Sequence, residues 1–267
     1  MLTLLHIVVA ALAGGVLSTL AAAATLRMQS TWIPRFVSFA VGALLGAVFL
    51  ELLPHALESG PPPQVMLTVL VGLLAFFLLE KLVLWRHAHG HDAHSDERDE
   101  TEHAHALHGS APGSGDGGRS GLMILIGNGV HNFCDGIVIA AAFIADDALG
   151  VATTLAIVAH AVPQQVGDFA VLLHSGFPRT KAFAYNIAAG GATLAGALAA
   201  YGALANMQQV LPVVLAFAAA SLLYVAVADL IPSLHRRSEP LETVKQMLWI
   251  ALGIAIIATT HLMLEPR

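Results

Sequence analysis

The stretch "NGVHNFCDGIVIAAAF", Asn128 to Phe143, sets a histidine and an aspartate four residues apart inside an otherwise apolar run. The run that contains it, 121-144, is long enough to cross a bilayer, which takes about 20 helical residues. Reading outward gives seven more such runs, at 4-26, 33-56, 65-86, 149-175, 181-203, 210-233 and 244-263. The predicted fold is therefore an all-α integral membrane protein with eight transmembrane helices in one bundle. Composition agrees: 57% of the 267 residues are hydrophobic and 11% are charged, unlike a soluble domain. The first run is followed by small residues, but it lacks a basic start and is too long for a signal peptide, so it reads as a span.

Positive residues collect in cytoplasmic loops. Eleven of the twelve Lys and Arg residues fall between spans one and two, around the end of span three, between five and six, or between seven and eight. The connections near 57-64, 145-148 and 204-209 carry none. Both termini are thus expected outside and the segment 87-120 in the cytoplasm. The net charge of -6, with no basic patch interleaved with aromatics, excludes a nucleic-acid partner. A single cysteine, Cys134, excludes an intrachain disulfide.

The chain divides into 1-86 (spans one to three), 87-120, and 121-267 (spans four to eight), the two membrane parts forming one domain. Residues 87-120 are polar and biased, too long for an ordinary connection, and expected to be disordered. They hold seven of the fourteen histidines: His87, His89, His91, His94, His103, His105 and His108. Imidazoles at such spacings bind Zn2+ or similar ions loosely, with no fixed stoichiometry. A solvated linker is the plainer alternative.

An ionisable side chain at mid-bilayer costs roughly 2.5 to 3.5 kcal/mol, so it usually faces a cavity and marks a pathway. His131 and Asp135 share a helix face, with Asn132 at its margin. In span five, "AHAVPQQVGDFAVLLHSG" repeats the spacing with His160 and Gln164, and Pro163 is expected to kink the helix and free carbonyls. Facing each other, the two pairs offer two nitrogens and two oxygens. That set suits tetrahedral Zn2+ while remaining open to Fe2+, Mn2+, Co2+ or Cd2+. A single buried histidine is more often a helix-to-helix hydrogen bond, but two matched pairs favour a metal. Cys134 reads as packing.

Glu51 and His55 form a third pair toward the outer end of span two, suited to an ion entrance or, for Glu51, to snorkelling. Asp168, His174, Asp229 and His235 lie toward the cytoplasmic ends of spans five and seven. They suit an exit path or plain interfacial positions.

These residues closely resemble the ZIP (Zrt/Irt-like) family of divalent-metal transporters, in its branch with a His-rich cytoplasmic loop. "HNFCDGIVIAAAF" is similar to the fourth-span motif HNFxDGxxIxxAF, and "HAVPQQVGDFAVLL" to the fifth-span HExPHExGDFAxLL. "LLPHAL" and "LYVAVADLIP" in spans two and seven also look like the family. The resemblance implies an eight-helix carrier, usually dimeric, that moves zinc or similar ions into the cytoplasm across the plasma (or bacterial inner) membrane. It places His131, Asp135, His160 and Gln164 in a primary site and Asn132 in an adjoining second one.

This sequence departs from the family motifs at Ala161 (Glu there), Gln164 (His), Gln165 (Glu) and Ala47 (an acid). Without the acid at position 161, at most one ion is expected to bind strongly. Alternating access around a fixed mid-membrane site is the expected mechanism, weakened in acid as protons compete for the histidines. No organic cofactor is expected. Two rival functions remain at this point. A metal sensor would bind through the loop without transport. An intramembrane metal hydrolase needs a general base, which Gln164 and Gln165 cannot supply.

Overall fold

The computed structural model describes residues 2-25, 32-88, 119-174, 176-204, 207-235 and 240-264. Ten α-helices occupy them: α1 (Leu2–Thr25), α2 (Ile33–Gly46), α3 (Leu53–Ser59), α4 (Pro62–Ala88), α5 (Arg119–Ala145), α6 (Asp147–His174), α7 (Arg179–Leu204), α8 (Leu211–Tyr224), α9 (Ile231–His235) and α10 (Pro240–Leu264). No strand occurs among the described residues. With α2 and α3 counted as one rod, and α8 and α9 as another, seven helical stretches are long and apolar enough to cross a membrane. The shorter apolar run Leu2–Leu17 of α1 accounts for the remaining expected span.

The segment expected at 87-120 is trimmed at both ends, since α4 runs to Ala88 and α5 begins at Arg119. His87 stands on the last turn of α4; His89, His91, His94, His103, His105 and His108 lie outside the described residues. The expectation of disorder there lies outside them too.

Pro163 sits inside α6, which is continuous from Asp147 to His174. Elsewhere, α2 and α3 are joined by a π-helical turn, Ala47–Leu52, and α8 and α9 by another, Val225–Leu230. Each is followed two residues later by a proline, Pro54 or Pro232. A proline ring crowds the carbonyl four residues back and offers it no donor. The wider turn relieves that crowding: Leu53 N–H reaches back five residues to Val48 O, and Ile231 N–H to Ala226 O. The fifth residue of each turn is acidic, Glu51 in one and Asp229 in the other. The two rods thus repeat one local design at opposite ends of the chain.

In lipid, helices associate through close packing and polar contacts, because tails are as apolar as leucine. Two crossings show how this sequence meets that demand. A Cβ on Gly136 of α5 would overlap the carbonyl oxygen of Thr193 of α7, and one on Gly196 of α7 would overlap that of Phe133. Gly42 of α2 and Gly253 of α10 stand in the same reciprocal relation to Ile250 and Phe39. Only glycine lets backbones approach so closely. Alanine fills much of the remaining interior, with Ala140, Ala141, Ala142, Ala152 and Ala156 fully buried along α5 and α6.

Candidate metal centre

Because α5 and α6 form a tight antiparallel hairpin through Asp146, their mid-helix polar residues meet level by level. Asp146 secures the turn by accepting the N–H groups of Ala148 and Leu149 with its carboxylate, a cap for α6. Two turns or more into the membrane, His131 Nε2 lies 3.5 Å from Asp135 Oδ2 and 3.3 Å from His160 Nε2. His160 Nε2 closes the triangle at 3.4 Å from Asp135 Oδ2. These three are the one group among the described His, Cys, Asp and Glu residues whose ligand atoms converge in this way.

The three ligand atoms are close enough to share one ion. A tetrahedral ion with ligands at about 2.0 to 2.1 Å holds them about 3.3 to 3.4 Å apart, the Zn2+ case. An octahedral ion at about 2.1 Å draws adjacent ligands to about 3.0 Å. The sides of 3.3 to 3.5 Å lie close to the tetrahedral spacing.

Electrostatics calls for positive charge here, from a metal ion or from protons on the histidines. Asp135 is 2% exposed and His160 1%, and an uncompensated carboxylate in such a setting costs several kcal/mol. His160 Nδ1 lies 3.2 Å from Ala156 O. A carbonyl can only accept, so Nδ1 carries a proton, and in the neutral ring it is the Nε2 lone pair that faces Asp135 and His131. Outer hydrogen bonds of this kind orient histidine ligands at metal sites. Asp135 Oδ1 is buried with no hydrogen-bond partner among the described residues. Converging lone pairs repel one another unless a metal ion or protons lie between them. His131, with 22% of its side chain exposed, is the open edge of the triangle.

The other expected ligands are arranged differently. Gln164 donates Nε2–H to Asn128 Oδ1 at 3.0 Å. Asn132 is buried and turned toward α7: its Nδ2 donates to Asn128 O and Oδ1, at 2.8 and 2.6 Å, and its Oδ1 accepts from Thr193 Oγ1 at 3.3 Å. Asn128 and Thr193 were not anticipated from sequence. A trace of the first was there, since Asn128 precedes Asn132 by one turn. Cys134 is half-buried and outside the converging group.

Glu51 is 4% exposed within its π turn, and His55 is half-buried. Asp168 is buried, Asp229 half-buried and His235 exposed, while the side chain of His174 lies outside the described residues. None of the described members of these sets joins a group like that of the triad.

Comparison with known proteins agrees with the architecture. Residues 1-261 match the family model described as ZIP Zinc transporter. This chain belongs to the ZIP zinc transporter family. Among curated ZIP relatives, it is 32% identical over 267 residues to zinc transporter ZIP13 of Homo sapiens, covering 87% of this chain and 72% of that protein. The ZIP13 homolog of Drosophila melanogaster is 31% identical over 279 residues, covering 86% and 77%. Zinc transporter SLC39A7 of Mus musculus is 30% identical over 295 residues, covering 83% and 61%. As a ZIP protein the chain is a membrane transporter of metal ions and not an enzyme, which removes the hydrolase reading.

Proposed function

We propose that this protein carries Zn2+ into the cytoplasm by alternating access, holding one ion at a time between α5 and α6 with His131, Asp135, His160 and Gln164. The observation that carries the reading is the ligand triangle, whose sides of 3.3 to 3.5 Å leave its atoms close enough to share one ion. The zinc transporters among its relatives support the same ion. Fe2+, Mn2+, Co2+ and Cd2+ are secondary substrates, admitted in proportion to their tolerance of four-coordination.

Asp135 is the only formal negative charge in this ligand set, so a bound divalent ion keeps a net positive charge. That favours release, which transport needs as much as capture. The membrane is the plasma membrane, or the inner membrane of a bacterium, with both termini outside and the His-rich segment cytoplasmic. The working unit is a homodimer. Glu51 and His55 serve the entrance; Asp168, His174, Asp229 and His235 serve the exit toward the loop histidines.

Zinc uptake into proteoliposomes tests this reading, with the wild type beside His131→Ala combined with Asp135→Ala. Saturable flux that the double variant abolishes is the expected result. Equal flux in both would refute the site, and no flux from folded wild type would refute transport.

A further inference from the structure

The orientation of the amides beside the triad follows from one fixed point. The backbone carbonyl of Asn128 can only accept, so the Asn132 atom 2.8 Å from it is Nδ2. That same Nδ2 lies 2.6 Å from the Asn128 side chain, so the atom it meets there is Oδ1. Gln164 approaches Oδ1 at 3.0 Å and must do so with Nε2. The hydroxyl of Thr193, 3.3 Å from the remaining Asn132 oxygen, is consistent with this assignment. Three amides that are individually ambiguous by a 180° flip are thus set by one main-chain atom.

The consequence lies at the far end of the chain of bonds. An amide binds metal through its oxygen, because the nitrogen lone pair is delocalised into the carbonyl and both its hydrogens point outward. A glutamine free to flip offers the wrong end in one of its two orientations. A carboxylate has no such ambiguity. Asn128 stands one turn before His131, and Gln164 one turn after His160, so in the antiparallel hairpin both flank the triad on the same side.

We propose that Asn128 is a positioning residue that turns the Gln164 amide so that Oε1, not Nε2, is presented to the divalent ion at His131, Asp135 and His160. This rests on the metal-transport reading of that site. Asn128 does not touch the ion. Its part is to hold Gln164 in the one orientation in which glutamine can serve as a ligand.

The test is Co2+ binding to the full chain in nanodiscs, read by visible absorption, with Zn2+ competition giving affinities. His131→Ala combined with Asp135→Ala supplies the baseline for ions held by the loop histidines. Asn128→Ala and Gln164→Ala are each expected to weaken binding about tenfold, the lower end for loss of an outer-shell partner. Combining them should cost no more than either alone. Asn128→Asp, which still accepts from both donors, should bind at least as tightly as wild type and keep the intense four-coordinate spectrum. In a Gln164→Glu background, Asn128→Ala should cost nothing. If Asn128→Ala does not assemble, Asn128→Leu, closer in volume, takes its place. The proposal is overturned if the Asn128 variant weakens binding equally with Gln164 already removed, if Gln164→Ala binds like wild type, or if Asn128→Asp fails as Asn128→Ala does. A baseline variant that binds like wild type marks a different failure, that of the metal site itself.

Discussion

His160 donates its Nδ1–H to the carbonyl oxygen of Ala156, one turn earlier on α6, across 3.2 Å. This bond selects one tautomer of the neutral ring, the one that meets Asp135 and His131 with its Nε2 lone pair. The ligand set is therefore prepared by the helix itself. What it lacks is charge, since Asp135 alone among the four proposed ligands is anionic.

Asp135→Asn should accordingly lower zinc affinity by about two orders of magnitude, or about 2.7 kcal/mol, while the helical bundle persists. The amide keeps an oxygen of similar size in the same place. Competition titration against a calibrated zinc chelator measures the loss, and circular dichroism checks the fold. A change of threefold or less would show that Asp135 is not a ligand.

Acidity should act through the same atoms. Zinc needs both imidazoles unprotonated at Nε2, and binding it releases any proton held there. Affinity and initial uptake should therefore fall as pH is lowered, with up to two protons displaced per ion. Uptake measured from pH 7.5 down to 5.5 with no gradient across the membrane decides the matter. Uptake that rises in acid would contradict this ligand set.

The α5–α7 crossing carries a stability prediction. A side chain at Gly136 or Gly196 would meet a backbone carbonyl, which cannot rotate away as a side chain can. Gly196→Ala should cost about 3 kcal/mol or more, at the upper end for overpacking, or prevent assembly. Gly191, on the same helix with nothing near its Cβ position, is the control. Gly191→Ala should stabilise by up to about 1 kcal/mol, because alanine is the better helix former. Melting temperatures in one detergent compare the two. Equal effects would mean that the close approach is not what holds α5 to α7.

Much of this was legible in the sequence, for identifiable reasons. Spans announce themselves by length and hydropathy, and His131, Asp135 and His160 stood out because ionisable groups are costly in an apolar helix. The π turns were not legible. Pro54, Pro163 and Pro232 look alike in sequence, and whether a helix widens or absorbs a proline depends on neighbours that only packing supplies. Asn128 was hidden for a related reason. A neutral amide raises no alarm in an apolar run, and its pairing with Gln164 exists only once the register of the hairpin is set. Glu51 is the converse case: its charge was obvious, but its burial became visible only in the packed bundle.

Ala161 allows the departure from the family motif to be tested directly. It lies on α6 beside His160, is 7% exposed, and takes the place of the family's glutamate. Wild type should hold one zinc ion tightly, counted in a chain lacking 87-118 so that the loop histidines do not contribute; this shortened chain should retain flux. Ala161→Glu adds a carboxylate to a site that already has one buried acid. Without metal, the added charge is uncompensated, and the variant should melt at a lower temperature than wild type. With zinc, a ligand that binds only the folded state restores stability in proportion to its concentration over its dissociation constant. The variant should therefore show a larger zinc-induced rise in melting temperature than wild type, and a second bound equivalent by elemental analysis. A destabilised variant that zinc fails to rescue, still holding one ion, would mean that position 161 does not face the metal path.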